Sequence, residues 1–244
     1  KLWSGSVDNF KMPQLIMSLA KVGNIQSIYR FGKKTDSDTE HWFHFINDTD
    51  VARGAIPDDS QERTYFTEAG QPPKVTDATM ATSTAEMPSN AYLLGIPAPA
   101  DRATVVVTPD AADPDGTLER QSCLLAYTYV SGWGEEGPPS LVSEPFDATT
   151  GDTLAISNLT GTPSGAYNIT HKRLYMSVTD STGTAVLRYL TEIPISEGTA
   201  SFVLDITVLG ETLPENSLVP PPDEPHPSAR RAAHSPFKKP RRGP

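Results

Sequence analysis

Apolar and polar residues alternate along much of this chain with the two-residue period of β-strands, and few segments show the helical period of 3.6 residues. The clearest alternation covers residues 125–130, in which Leu125, Tyr127 and Tyr129 are predicted to face the same way. The best helical candidate, residues 12–20, is short. We therefore expect a turn of helix or an irregular loop there, within an irregular N-terminal segment over residues 1–24.

Three short strands are predicted next, at residues 25–31, 41–46 and 63–67. The turn-forming residues 47–50 follow the second of them. Short consecutive strands with polar turns are typical of a β-meander or of part of a propeller blade, which we predict for residues 25–70.

Residues 71–100 are rich in proline and are predicted to form a semi-rigid connector, because proline fixes φ and favours an extended chain. A short strand over residues 92–96 would dock this connector.

The pattern changes again over residues 101–214, where several short strands separated by turns predict a β-sandwich. The predicted strands are 103–108, 121–131, 153–157, 171–178, 186–193 and 201–206. Leu174 with Met176, and Leu187 with Tyr189, are expected to be inward-facing pairs. The fold class expected for the chain is therefore all-β.

Composition supports this expectation. The chain has 23 prolines in 244 residues, and proline interrupts helix interiors, which argues against an all-α bundle. Because no run of about 20 apolar residues occurs, we expect no membrane partner. The single cysteine, Cys123, excludes an intrachain disulfide and a cysteine-based zinc site, and its apolar strand predicts a buried thiol.

Charge is unevenly distributed around the net value of −10. Six basic residues follow Glu224, the last acidic residue, and removing them leaves 14 basic and 30 acidic residues with a net charge of −16. An acidic body repels nucleic acid phosphates, so we expect no sequence-specific DNA binding. Residues 215–244 are predicted to be a disordered, proline-rich basic tail, which either contacts DNA or an acidic surface or is a solvated end.

Few residue patterns indicate chemistry. The acidic loop 110–116 could offer oxygen ligands to calcium, but it lacks the length and terminal glutamate of an EF-hand, and an exposed turn explains it. His41 and His44 would lie on opposite faces of a strand. We therefore expect no metal site and no cofactor.

A second acidic group could supply a pair of carboxylates for glycoside hydrolysis, although turn formation explains these residues equally well. Its members are Asp48, Asp50, Asp58, Asp59 and Glu62. With no nucleophile or phosphate-binding motif in a suitable context, we expect a protein that is not an enzyme.

Two stretches resemble fibronectin type III sequences. Residues 127–140, which contain Gly132-Trp133-Gly134 and end in Gly-Pro-Pro-Ser, resemble the last-strand signature of that family. Residues 169–177 resemble its central strand. The order of the two is reversed, which implies a permuted domain or an immunoglobulin-like sandwich of another topology.

The whole of residues 25–222 resembles a virion tail protein of tailed bacteriophages and prophages, of the nozzle or tail-tube kind. The resemblance rests on the order of motifs at residues 42–54, 62–67, 73–77, 92–99, 132–140, 209–214 and 220–222. It implies propeller-like strands with an inserted fibronectin-like domain, in a non-enzymatic structural component of the phage tail. The implied partners are other tail proteins and copies of the chain, with contact to passing DNA.

The alternative is an extracellular β-sandwich module that binds carbohydrate or another cell-surface ligand. Its candidate surface-binding turn contains Trp133, Glu135 and Glu136, in which Trp133 could stack on a sugar. The competing role for Trp133 is to cover the edge of the sandwich.

Overall fold

The computed structural model describes residues 2–4, 14–17, 23–31, 41–56, 59–113, 118–179 and 185–213. These residues form short strands and one α-helical turn. The elements in chain order are β1 (Leu2–Ser4), β2 (Gln14–Met17), β3 (Ser27–Phe31), β4 (His41–Phe45), β5 (Thr49–Arg53), β6 (Thr64–Glu68), β7 (Lys74–Thr76), α1 (Ala78–Ala81), β8 (Tyr92–Leu93), β9 (Thr104–Thr108), β10 (Gln121–Cys123), β11 (Leu125–Ser131), β12 (Phe146–Ala148), β13 (Thr153–Ser157), β14 (Ile169–Thr179), β15 (Ala185–Pro194) and β16 (Ala200–Val203).

The all-β fold class is confirmed. The described part of the chain contains only a four-residue α-helix and a three-residue 3-10 helix, Ile206–Val208, besides its strands. No helix in these residues has the length and apolar character needed to cross a membrane.

The expectation of a helical turn or irregular loop over residues 12–20 is wrong where the structure describes it. Gln14–Met17 is a strand that pairs antiparallel with Leu2–Ser4. Pairing with a segment ten residues away in sequence decides the conformation here, because a strand gains its stability from a partner that local propensity does not report. Residues 12–13 and 18–20 lie outside the described residues.

The first half of the chain contains a hairpin and a separate meander. Strands β3 and β4 form a two-stranded sheet, whereas β5, β6, β7 and β8 form a four-stranded antiparallel sheet in chain order. Three predicted strands are confirmed as β3, β4 and β6, but they do not form one sheet together. Residues 49–53, part of which we expected to be a turn, form β5 instead, and Thr49 is fixed by its N–H, which donates to Ser27 Oγ at 2.9 Å.

The proline-rich segment 71–100 is more than a connector, because it supplies β7, α1 and β8 to this unit. The helical turn α1 is capped by Asp77, whose carboxylate accepts the N–H of Met80 at 2.8 Å. A small aromatic core lies between the hairpin and the meander. Its buried members are Phe31, Phe43, Phe45, Phe66 and Ala81.

The second half of the chain forms two three-stranded sheets that share one core. One sheet has the order β11–β14–β15 and the other has the order β16–β13–β9, while β10 and β12 pair separately. Leu125, Tyr127 and Tyr129 all enter this core, as their alternation predicted, and Leu154 and Ile156 meet them from the other sheet. The arrangement is consistent with a β-sandwich.

The inward pair Leu174 and Met176 is confirmed, but the inward pair Leu187 and Tyr189 is wrong. The register of β14 with β15 shifts between Leu174 and Tyr175, so one extra residue of β15 enters the pairing there. Such a bulge reverses which residues of the strand face the core. Val186 and Leu190 pack against the core instead.

The two strands that carry the fibronectin-like motifs are neighbours. Strand β11 precedes β14 in the chain and pairs with it antiparallel from Leu125 opposite Met176 to Ser131 opposite Ile169. The strand that resembles the fibronectin last strand, β11, thus lies directly beside the strand that resembles the central strand, β14, and comes before it in the chain.

Candidate functional site

The turn after β11 is held by one buried serine. Ser131 Oγ accepts the N–H groups of Trp133 and Glu135, at 3.2 and 3.0 Å, and its carbonyl accepts the N–H of Gly134 at 2.9 Å. Gly134 has a φ of +80°, a conformation that glycine adopts without a steric penalty. The turn is therefore a defined structure that fixes the directions of Trp133, Glu135 and the following Glu136.

Trp133 is half-buried between Arg63, the residue before β6, and Tyr92 of β8, both from the four-stranded β5–β8 unit, which we call the first sheet. The edge of its ring meets Tyr92 at a centroid distance of 5.7 Å, and the Arg63 guanidinium lies 5.6 Å from the ring centroid. The cavity beside them is only about 20 Å³, less than the volume of a sugar ring by a wide margin. The ring thus has intramolecular partners at its edge and on one face.

Arg63 is positioned by two acidic residues, Asp59 and Glu135. Its Nε donates to Asp59 Oδ2 at 2.8 Å, and its Nη1 donates to Glu135 Oε1 at 2.9 Å. The hydrogen bond from Arg63 holds the pKa of Asp59 below its usual range, and the same bond raises the pKa of Arg63. Trp133 and Glu135 therefore join the first sheet to the sandwich, and we call Arg63, Tyr92, Trp133 and Glu135 the joint.

Glu136 points away from the joint, to the outer face of the β11–β14–β15 sheet. Its Oε1 accepts the hydroxyls of Thr128 and Tyr175, both at 2.6 Å, and its Oε2 accepts Arg173 Nη1 at 2.9 Å. Arg173 Nε donates to Glu192 at 2.7 Å. The hydrogen bond to Glu192, followed by that to Glu136, raises the pKa of Arg173, while burial is the main cause of the raised pKa of Tyr175.

This network lines an open groove of about 450 Å³. Its charged groups pair with one another, so the arrangement ties strands β11, β14 and β15 together. The three residues of the predicted surface-binding turn thus have two different structural roles: Trp133 and Glu135 contribute to the joint, and Glu136 to the network.

The other acidic candidates are dispersed or engaged. Asp48, just before β5, and Asp50, within β5, are both exposed, and Asp59 holds Arg63. Glu62 is buried beside Arg53, with 4.0 Å between Nη2 and Oε1, and Asp58 lies outside the described residues.

The acidic loop is organised by Asp152 and Arg120. Asp152 is fully buried, accepts the N–H groups of Asp110 and Thr149, and pairs with Arg120 Nη1 at 3.2 Å. Arg120 also reaches Asp113 at 3.8 Å, and residues 114–117 lie outside the described residues. In the part of the chain that the structure describes, no group of three or more His, Cys, Asp or Glu side chains is arranged to hold a metal ion.

His44 is buried and His41 is not, consistent with their places on strand β4. Cys123 is fully buried, and burial raises the pKa of its thiol, which favours the unreactive protonated form.

The two sheets of the sandwich differ at their edges. Residues 135–143 run along β11: the N–H groups of Gly137, Ser140 and Ser143 donate to carbonyl oxygens of that strand at 2.7–2.9 Å. On the opposite edge, residues 210–213 pair with β15 through Tyr189 and Leu187. Both edges of this sheet are covered.

The other sheet has no hydrogen-bonded cover in the described part of the chain, although β12 packs beside β9 without pairing with it. Among the described residues, the backbone hydrogen bonds of β9 and β16 within the sheet run to β13 alone. Sequence reasoning identified both strands but did not single out their edges. The available signal was that neither strand carries a charged residue or a proline.

No protein-family model matches this chain, and no curated protein is significantly similar to it.

Proposed function

We propose that the protein is a non-enzymatic structural component of a phage tail, of the nozzle or tail-tube kind, which acts through subunit assembly. The proposal starts from the ordered sequence motifs that resemble those of phage tail proteins. What supports it in the structure is that three of these motifs meet at the joint, where they make scaffold contacts.

The observation that carries the proposal is the close packing of the motif residues. The Arg63 guanidinium covers Trp133, and Tyr92 meets the same indole ring. A Cβ atom on Gly137 would lie 2.6 Å from the side chain of Ile96, so this approach requires glycine. Motif residues that hold two β-units in contact suit a subunit that must keep its shape under load.

The acidic body fits a subunit that surrounds a DNA path. The residues up to Glu224 carry a net charge of −16, and a like-charged wall limits adhesion of a passing genome. DNA would contact such a wall without sequence-specific binding. A map of the assembled subunit with basic residues concentrated on the channel wall would contradict this part of the proposal.

The test is genetic and structural. Inactivating the coding sequence in the phage or prophage that carries it should leave DNA-filled heads that lack a complete tail in electron micrographs. Antibodies against the purified chain should label the tail of wild-type particles. Particles with normal tails and normal infectivity, or absence of the chain from purified particles, would overturn the proposal.

A further inference from the structure

We propose that the β16–β13–β9 sheet is the assembly surface of this protein, and that its occupant is a second copy of the same chain, with the β16 edge of one copy pairing with the β9 edge of the next. This inference rests on the proposed function and names the surface through which assembly would occur.

The first argument is the open backbone of the two edge strands. An edge strand presents a row of N–H and C=O groups that can pair with another strand. Proteins that must stay apart protect such edges with charged residues, proline or a covering segment. The β11–β14–β15 sheet of the same sandwich has a hydrogen-bonded covering segment on each side, as described above. Among the described residues β9 and β16 have no such partner, and β12 packs beside β9 without pairing with it.

The second argument is the absence of charge on the outer face of this sheet. The register of the three strands places eight residues on that face, and every one is Thr, Ser, Ala or Val. They are Thr104, Val106, Thr108, Thr153, Ala155, Ser157, Ser201 and Val203. Val106 and Val203 are 58% and 66% exposed, although both are large apolar residues.

A second copy is the occupant because each chain carries both edges, β9 and β16, that the contact needs, and because the charge of these edges permits the approach. Two copies with a net charge of −10 repel each other, and close contact between acidic surfaces would add to that repulsion. An uncharged sheet edge is a surface on which a like-charged copy can approach at low electrostatic cost. The opposite face of the sandwich carries the network of Glu136, Arg173 and Glu192 and does not offer this advantage.

The two edges indicate a head-to-tail arrangement. An isologous contact of β16 with β16 would leave β9 open on both copies, whereas β16 with β9 uses both edges. Heterologous contacts of this kind produce closed rings or extended filaments. Because strands of four and five residues bury far less than the roughly 1,200 Å² of total surface in stable interfaces, one contact is weak and closure must reinforce it.

The test is sedimentation velocity of the full chain and three lysine variants at protein concentrations from about 10 μM to about 1 mM. Val106→Lys changes the β9 edge and Val203→Lys the β16 edge. Val208→Lys is the matched control, because Val208 is 72% exposed and lies outside the sheet. We expect the wild-type sedimentation coefficient to rise with concentration, each edge variant to weaken self-association by about tenfold or more, and the control to behave as wild type.

Mixing the two edge variants tests the arrangement itself. Val106→Lys keeps an intact β16 edge and Val203→Lys keeps an intact β9 edge, so an equimolar mixture should form dimers and no larger species. If either edge variant self-associates as strongly as wild type, the head-to-tail arrangement is overturned. If the sedimentation coefficient of the wild type does not change with concentration, or if Val208→Lys weakens self-association as much as the edge variants do, the assignment of this sheet as the assembly surface is overturned.

A second measurement covers the case in which a variant does not fold. Amide hydrogen exchange of wild type should slow in β9 and β16 as concentration rises, and unchanged exchange there would contradict the inference. These outcomes are separate from the particle experiment: a chain that is missing from tails but self-associates through this sheet refutes only the proposed function.

Discussion

Arg63 and Glu135 lie 72 residues apart in the sequence and form an ion pair, with 2.9 Å between Nη1 and Oε1, that links the first sheet to the turn after β11. The same guanidinium lies over Trp133, so one arginine contacts two of the three predicted site residues of that turn. Glu135 is about half exposed, so the ion pair itself contributes little, and the packing of the aromatic ring is the larger stabilising term.

Trp133→Ala should therefore loosen the joint. The lost aromatic pair and cation–π contact together predict a decrease of about 1–2 kcal/mol in the free energy of unfolding. Trp133→Phe should retain part of this, and Glu135→Gln should cost less than about 1 kcal/mol. Thermal denaturation, with limited proteolysis at residues 97–102 as a second readout, measures the loss of stability in each variant. A larger loss in Glu135→Gln than in Trp133→Ala would contradict the prediction.

Ser140 and Ser143 replace strand partners where two prolines interrupt the covering segment. Their hydroxyls accept the buried N–H groups of Tyr127 and Leu125, at 3.1 and 3.0 Å. Because alanine leaves a buried donor unsatisfied, Ser140→Ala and Ser143→Ala should each cost about 1–3 kcal/mol. Ser201→Ala, on the exposed face of β16, is the control and should stay within about 0.5 kcal/mol in urea denaturation. Equal effects at all three serines would show that these hydroxyls are not needed as acceptors.

Strands with strong alternation were predictable from the sequence, and strands defined by their neighbours were not. Residues 153–157 were predicted with the bounds that the structure gives to β13, because Leu154 and Ile156 alternate with small or polar residues. Strand β5 was missed because Val51 is its only large apolar residue. It forms because Val51 lies opposite Phe66 in the adjacent strand, which is a tertiary contact.

The site residues illustrate the same limit. The composition of the turn drew attention to Trp133, Glu135 and Glu136, but their roles depend on Arg63, Tyr92 and Arg173. No periodicity relates residues so far apart in the chain. The alternation at Leu187 and Tyr189 predicted the wrong face for a related reason. A bulge changes which side chains of a strand point into the core, and the apolar pattern of the sequence does not show it.

Lys172 provides a test of pH dependence, because it is a fully buried amine. Its Nζ donates to the carbonyl oxygens of Leu159 and Glu197, at 3.1 and 2.6 Å. Burial lowers the pKa of Lys172 in the folded protein below its ordinary value of 10.5, with the nearby Glu197 opposing the shift. The unfolded chain then binds the proton more tightly, so the free energy of unfolding should rise as pH increases towards 10.5.

Lys172→Met should remove this rise. Near neutral pH the variant no longer buries a charge, but the carbonyl oxygens of Leu159 and Glu197 lose this donor, so the slope with pH is the test and not the absolute stability. Melting temperatures at pH 7–10, followed by circular dichroism, give the slope. Lys74→Met, in the first sheet, is the control with the same change of side chain. A slope that Lys172→Met leaves unaltered would show that the buried amine does not control stability in this range.

Tyr129 should produce the opposite trend at higher pH. Its hydroxyl donates to the carbonyl oxygen of Gly161 at 2.8 Å, and burial, followed by the influence of Tyr127, raises the pKa of Tyr129 from 10.0 to about 12. The folded protein keeps this proton when the unfolded chain has lost it, so its contribution to stability is complete below pH 10 and disappears as pH rises through about 12.

Tyr129→Phe should therefore flatten the fall in melting temperature between pH 10 and pH 12, and it should cost about 1 kcal/mol at pH 7 through the lost hydrogen bond. The two effects separate a titration from a packing defect, since a packing defect lowers stability equally at every pH. The matching Tyr127→Phe variant removes the hydroxyl that donates to Thr160 Oγ1 at 3.1 Å and tests whether any core tyrosine has the same effect. An alkaline fall in Tyr129→Phe as steep as in wild type would place the titrating group elsewhere.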